Sequence, residues 1–107
     1  SETIALPPEL TPRNAENLFA LRVKGTSMID ALIDDGDVVV LRPVTDARDG
    51  DLVAAWLTLQ EEATLKRIYR EGDRVRLQPA NVQMAPIYAA VDNVQVHGRV
   101  VGVIRRM

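Results

Sequence analysis

A chain of 107 residues, 47% apolar and 26% charged, fits a single domain with one modest core and an ordinary soluble surface. Its net charge of −2 argues against a surface built to neutralise phosphates, so no direct DNA binding is expected. Cysteine is absent and His97 is the only histidine, which removes disulfides, thiolate metal sites and cysteine nucleophiles, implies no cofactor and suits a reducing cytoplasm; no apolar run approaches the roughly 20 residues that span a bilayer.

Residues 1–17 carry Pro7, Pro8 and Pro12 and are expected to form an extended lead-in, with one domain over 18–107. From Leu18, the alternation of Phe19, Leu21 and Val23 with Ala20, Arg22 and Lys24 predicts a strand with one buried face, ended by Gly25. Residues 28–33 suit one or two helical turns with Ile29, Leu32 and Ile33 inward. Asp34-Asp35-Gly36-Asp37 is a turn, and Val38 to Leu41 predicts a strand buried on both faces. Residues 42–51 form a loop. Residues 52–59 and 63–69 pair as a hairpin around Gln60-Glu61-Glu62, and a turn at 71–73 leads to a strand at 75–77. Residues 80–91 show no clear period. Val94 to Ile104 is a last strand, with Gly98 and Gly102 marking bulges. Many short strands between frequent turns predict a mainly β, partly open barrel-like fold with one short helical turn. Trp56 is expected in the core and Arg105-Arg106 as a solubilising terminus.

The chemistry-bearing residues are few. Ser27, in Gly25-Thr26-Ser27-Met28, sits between a strand and a helical turn. It is either a cap for that turn or a nucleophile on a tight bend whose backbone N–H groups can stabilise an oxyanion. Lysine can act as base if burial lowers its pKa. Lys66 shares one strand face with Thr64 and Ile68, so it is either an inward-facing base or, with Arg67, an edge charge that discourages aggregation. Lys24 follows its strand into a loop and is expected to face solvent. Asp34, Asp35 and Asp37 lack the later glutamate of a calcium loop and read as turn residues.

Taken together, the ordered blocks Phe19 to Met28, Asp35-Gly36-Asp37-Val38-Val39-Val40, Asp49-Gly50-Asp51-Leu52-Val53-Ala54, Thr64-Leu65-Lys66-Arg67, Val75 to Asn81 and Val100 to Arg105 resemble the C-terminal peptidase domain of LexA-type repressors, shared by UmuD mutagenesis proteins and phage repressors. The resemblance covers about residues 18–105. It implies a Ser–Lys peptidase with Ser27 as nucleophile, Lys66 as general base and the backbone N–H groups of Thr26 and Ser27 as the oxyanion hole. It implies cleavage of an Ala–Gly bond in the same polypeptide, stimulated by a RecA filament on single-stranded DNA, and release of DNA-damage (SOS) genes from repression. It also implies a homodimer, for which Val100 to Ile104 offers an apolar edge.

No Ala-Gly pair occurs in the 107 residues, so the expectation is a fragment that keeps the catalytic residues and lacks the scissile segment. Two rivals stand beside this reading. A signal peptidase shares several of these blocks but needs a membrane anchor, and a non-catalytic dimerisation module would keep Ser27 and Lys66 idle.

Overall fold

The computed structural model describes residues 17–105. Seven strands form one antiparallel sheet: β1 (Phe19–Arg22), β2 (Val38–Arg42), β3 (Leu52–Leu57), β4 (Glu62–Glu71), β5 (Arg74–Gln78), β6 (Ile87–Ala90) and β7 (Val94–Ile104). Their order across the sheet is β1-β2-β7-β3-β4-β5-β6, and the sheet curls into a half-barrel. This is the mainly β, partly open barrel that the turn spacing predicts.

The alternation of side chains along β3 explains where the core lies. Val53, Ala55 and Leu57 pack with Ile68, Val75 and Leu77 in one apolar cluster, whereas Ala54 packs with Met28, Ile33, Val39 and Leu41 in another. Successive side chains of a strand point to opposite faces, so β3 serves both clusters. That is why its sequence, Leu-Val-Ala-Ala-Trp-Leu, carries no polar residue. The Val38 to Leu41 run is likewise buried throughout.

β7 is long and central, and it changes neighbours midway. Val94–Arg99 pairs with β3, and Arg99–Ile104 pairs with β2. Two register shifts accompany the change: Gly98 and Val96 face the adjacent residues Ala54 and Ala55, and Gly102 and Val100 face Val40 and Leu41. The residues left over are His97 and Val101, each beside one of the two glycines expected to mark bulges. Such bulges bend a strand and increase its twist, which suits a sheet that curls. At Gly98 a Cβ would lie 2.9 Å from the Phe19 ring and 3.0 Å from the Arg42 carbonyl oxygen. Glycine is required there by close approach rather than by backbone dihedral.

Several expectations are corrected. Within 28–33 the helical turn is limited to Ile29–Ala31, of 3-10 type, and Leu32 ends it in the left-handed region with φ 63°; a second, unexpected 3-10 turn lies at Val91–Asn93. That conformation throws the Leu32 side chain outward, to 77% exposure, while Ile33 and Met28 fill the core instead. Trp56 is half-buried rather than central and stacks on His97, ring centroids 6.3 Å apart. β6 lies where no period was visible: it is an edge strand on β5 with mostly exposed residues, so it has no alternation to betray it. β7 is interior to the sheet order over Val94–Arg99, whereas over Val100–Ile104 it pairs with β2 alone among the described strands. Arg105 is structural, donating from Nη2 and Nε to the carboxylate of Asp37 at 2.9 and 3.2 Å. The lead-in over 1–17 lies outside the described residues except for Asn17.

The acidic turn is closed by its own side chains. Asp34 N–H donates to Asp37 Oδ2 at 2.8 Å, and Asp35 N–H donates to Asp34 Oδ1 at 2.7 Å. Arg105 and the Asp34 N–H together hold the buried Asp37 carboxyl below the usual carboxylate range, the Arg105 hydrogen bonds contributing most.

Two predictions follow from this packing. Gly98→Ala should destabilise the domain by about 1–3 kcal/mol through overpacking, and Phe19→Leu should recover part of the loss. Urea titration of the single and double variants checks this, and additive effects would disprove the ring contact as cause. Arg105→Met should lower the unfolding midpoint above about pH 4, the carboxylate's unfolded range. A depressed folded pKa stabilises above the unfolded pKa and ceases to do so as pH falls through the folded value. The gap between wild type and variant should therefore shrink in acid, as read by thermal melts from pH 7 down to pH 2.

Candidate active site

Ser27 is held by its neighbours on both sides. The chain leaves β1 and stays bonded to the acidic turn, with Val23 N–H donating to the Asp37 carbonyl at 2.8 Å. It then reverses at Gly25, whose φ of +86° favours glycine. Gly25 N–H donates to Asp35 Oδ1 at 2.7 Å. On the other side, Met28 is 1% exposed and anchors the turn in the second apolar cluster. Ser27 itself is half-buried, with a core residue at one flank and exposed Thr26 at the other.

A second loop braces this turn. Asp30 N–H donates to the Ala80 carbonyl at 2.7 Å, Val82 N–H donates to Asp30 Oδ2 at 3.1 Å, and Ala80 N–H donates to Met28 Sδ at 3.4 Å. Asn81 Nδ2 donates to the Thr26 carbonyl at 2.9 Å.

Lys66 lies within β4, opposite Val53 of β3. The strand register turns its residue inward, leaving it 7% exposed. Its Nζ donates to Ser27 Oγ at 3.0 Å and to Thr64 Oγ1 at 2.6 Å. Burial pushes its pKa below the ordinary lysine value, and the negative charge of Glu62 offsets part of that fall. A charged ammonium is disfavoured in low-dielectric surroundings, so the environment favours the neutral amine. A neutral amine has two N–H bonds and one lone pair. It can keep a hydrogen bond to Thr64 while its lone pair accepts the Ser27 hydroxyl proton.

The pair opens onto a cleft of about 320 Å³ whose apolar walls include Leu21, Val23, Met28, Val39, Ala54 and Leu65. Lys24 also borders it and is exposed, as expected. A larger depression of about 670 Å³ includes Thr45 and His97 but neither Ser27 nor Lys66. Among the described residues, no group of three or more His, Asp, Glu or Cys is placed to hold a metal ion.

Ser27 and Lys66, 39 residues apart in the chain, thus meet. Thr64 and Asn81 are the contacts that sequence reasoning did not single out. Thr64 had a visible signal, since residues two apart on a strand share a face. Asn81 had none beyond its place in a recurring block.

The chain as a whole is similar to known proteins. Residues 1–101 match the family model described as Peptidase S24-like. A LexA repressor from Roseiflexus sp. (strain RS-1) is 53% identical over 107 residues, covering 99% of this chain and 49% of that protein. The LexA repressor of Herpetosiphon aurantiacus is also 53% identical, over 99% of this chain and 50% of its own length. That of Staphylococcus aureus (strain Newman) is 48% identical over 106 residues, with coverage of 99% and 50%. The chain spans about half the length of these curated relatives. A family match over nearly the whole chain, on a curled β-sheet that buries a lysine against a serine, makes this chain a member of the Peptidase S24-like family.

Proposed function

We propose that the chain is the self-cleaving serine peptidase domain of a LexA-type transcriptional repressor, acting in the cytoplasm. The observation that carries this is the 3.0 Å contact between the buried amine of Lys66 and Ser27 Oγ at the mouth of an apolar cleft. Neutral Lys66 takes the hydroxyl proton as Ser27 Oγ attacks the scissile carbonyl. The resulting ammonium returns that proton to the leaving amine, and the acyl-enzyme is hydrolysed by a water that Lys66 deprotonates in turn. The N–H groups of Thr26 and Ser27 donate to the oxyanion.

The substrate is an Ala–Gly bond elsewhere in the same polypeptide, and the stimulus is a RecA filament on single-stranded DNA; both come from the family resemblance. Tethering suits a lysine base. It makes the attack unimolecular and raises the effective concentration of the bond, so a modest dyad suffices for one turnover. The full-length LexA relatives favour this parent over a UmuD-like or phage protein.

The proposed homodimer has its own support. Over Val100–Ile104, β7 pairs with β2 alone among the described strands, and Val101 and Val103 are 46% and 43% exposed. Two such edges can pair about a two-fold axis.

Ser27→Ala should lower cleavage of an Ala–Gly peptide in trans by at least about 1,000-fold without unfolding the domain. The wild-type rate should rise with pH through the depressed Lys66 pKa and then level, and Lys66→Arg should be inactive because guanidinium stays protonated. Linkage gives the stability sign: between the folded and unfolded pKa the unfolded chain binds more protons, so stability rises with pH. Lys66→Met should therefore melt higher than wild type near neutrality, with the gap closing toward the unfolded lysine range of about 10.4. A pH-independent rate, or full activity in Ser27→Ala, would contradict the dyad.

Sedimentation should show a dimer at high micromolar concentration, and Val103→Lys should shift it to monomer. A wild-type monomer throughout that range would rule out this interface.

A further inference from the structure

We infer that Asn81 is a positioning residue for hydrolysis at Ser27: by holding the Thr26 carbonyl, its side-chain amide fixes the peptide plane that carries the Ser27 N–H. The inference rests on the reading of Ser27 as nucleophile and of its N–H as an oxyanion donor. The Thr26 carbonyl and the Ser27 N–H belong to one peptide unit, which is planar and trans, so they point in opposite directions. Whatever anchors the carbonyl on one side aims the N–H on the other.

Two donors anchor it. Ile29 N–H reaches the Thr26 carbonyl at 3.2 Å within the turn, and Asn81 Nδ2 reaches it at 2.9 Å from a distant loop. The Asn81 side chain is itself held, because its Oδ1 accepts the Gln83 N–H at 2.8 Å. This bond also decides the amide orientation. A backbone N–H needs an acceptor and a carbonyl needs a donor, so only one way round satisfies both.

The loop does not depend on Asn81 for its place. Ala80 and Val82 are tied independently to Met28 and Asp30. Loss of the Asn81 amide should leave the loop docked and free the Thr26–Ser27 peptide to rock. Preorganised donors matter most where charge develops, in the transition state. The effect should therefore fall on kcat rather than KM.

Asn81→Ala and Asn81→Asp test this. The aspartate is isosteric and keeps the acceptor for Gln83, but its carboxylate cannot donate to Thr26. It carries the test if the alanine variant folds poorly. Both are assayed for cleavage of an Ala–Gly peptide in trans, with Ser27→Ala alongside and thermal melts of each. The expected result is a kcat lower by about 10- to 100-fold with KM unchanged, and, for the uncharged Asn81→Ala, an unchanged pH midpoint of the rate. That is less than the full loss of one oxyanion donor. If Ser27→Ala is inactive while folded Asn81→Asp keeps its kcat within twofold, the positioning role is wrong and the dyad stands. A folded Asn81→Asp whose loss lies in KM, or a folded Asn81→Ala with a shifted pH midpoint, also overturns it. If Ser27→Ala cleaves normally, the underlying reading of the site has failed.

Discussion

Lys66 is a lysine kept from water, as its proposed role of base requires, and the site is arranged round that burial. The Lys66 amine is desolvated by strand β4 and by the segments that close over it, and its hydrogen bonds go to two hydroxyl oxygens rather than to a carboxylate. A carboxylate in hydrogen-bond contact would restore the charge and raise the pKa. Glu62 acts in that direction only through its field. The site therefore needs a dry wall, a hydroxyl for the amine to lean on and a nucleophile delivered from elsewhere.

Delivery is the task of the β1 side of the molecule. A glycine reversal, an aspartate on the Gly25 N–H and a buried methionine immediately after the serine leave Ser27 little freedom. The acidic turn that supplies Asp35 is in turn closed by Asp37 and Arg105. A chain of polar contacts thus runs from the end of β7 to Gly25, two places before Ser27. None of these groups touches the cleft chemistry, yet each restricts where the hydroxyl can be.

Much of the sheet was legible because apolar alternation is a local signal. β2, β3, β4 and β7 announce themselves by pattern, and the two bulges by their glycines. What escaped was set by tertiary context. Leu32 is apolar but left-handed and exposed, β6 is an edge strand without a buried face, and Trp56 rests on His97 outside the core. Arg105 looked like a charged tail because its partner lies 68 residues away. For the same reason neither Ser27 nor Lys66 could be chosen from local pattern alone. Each had an ordinary structural alternative, and the order of blocks across the whole chain joined them. Thr64 was visible only as a neighbour on the Lys66 face, and Asn81 enters only when distances are known.

The order of strands has a consequence in time. Ser27 belongs with β1 and β2, and Lys66 with β3 and β4, yet the strand that joins those two pairs is β7. A ribosome makes both hairpins before it makes their bridge. Contacts between elements far apart in sequence form late in folding. A nascent chain thus carries Ser27 and Lys66 on two unjoined strand pairs while the strand that registers them is still unsynthesised. The topology thus sets an order of events: Ser27 and Lys66 can be registered against each other only once β7 is in place.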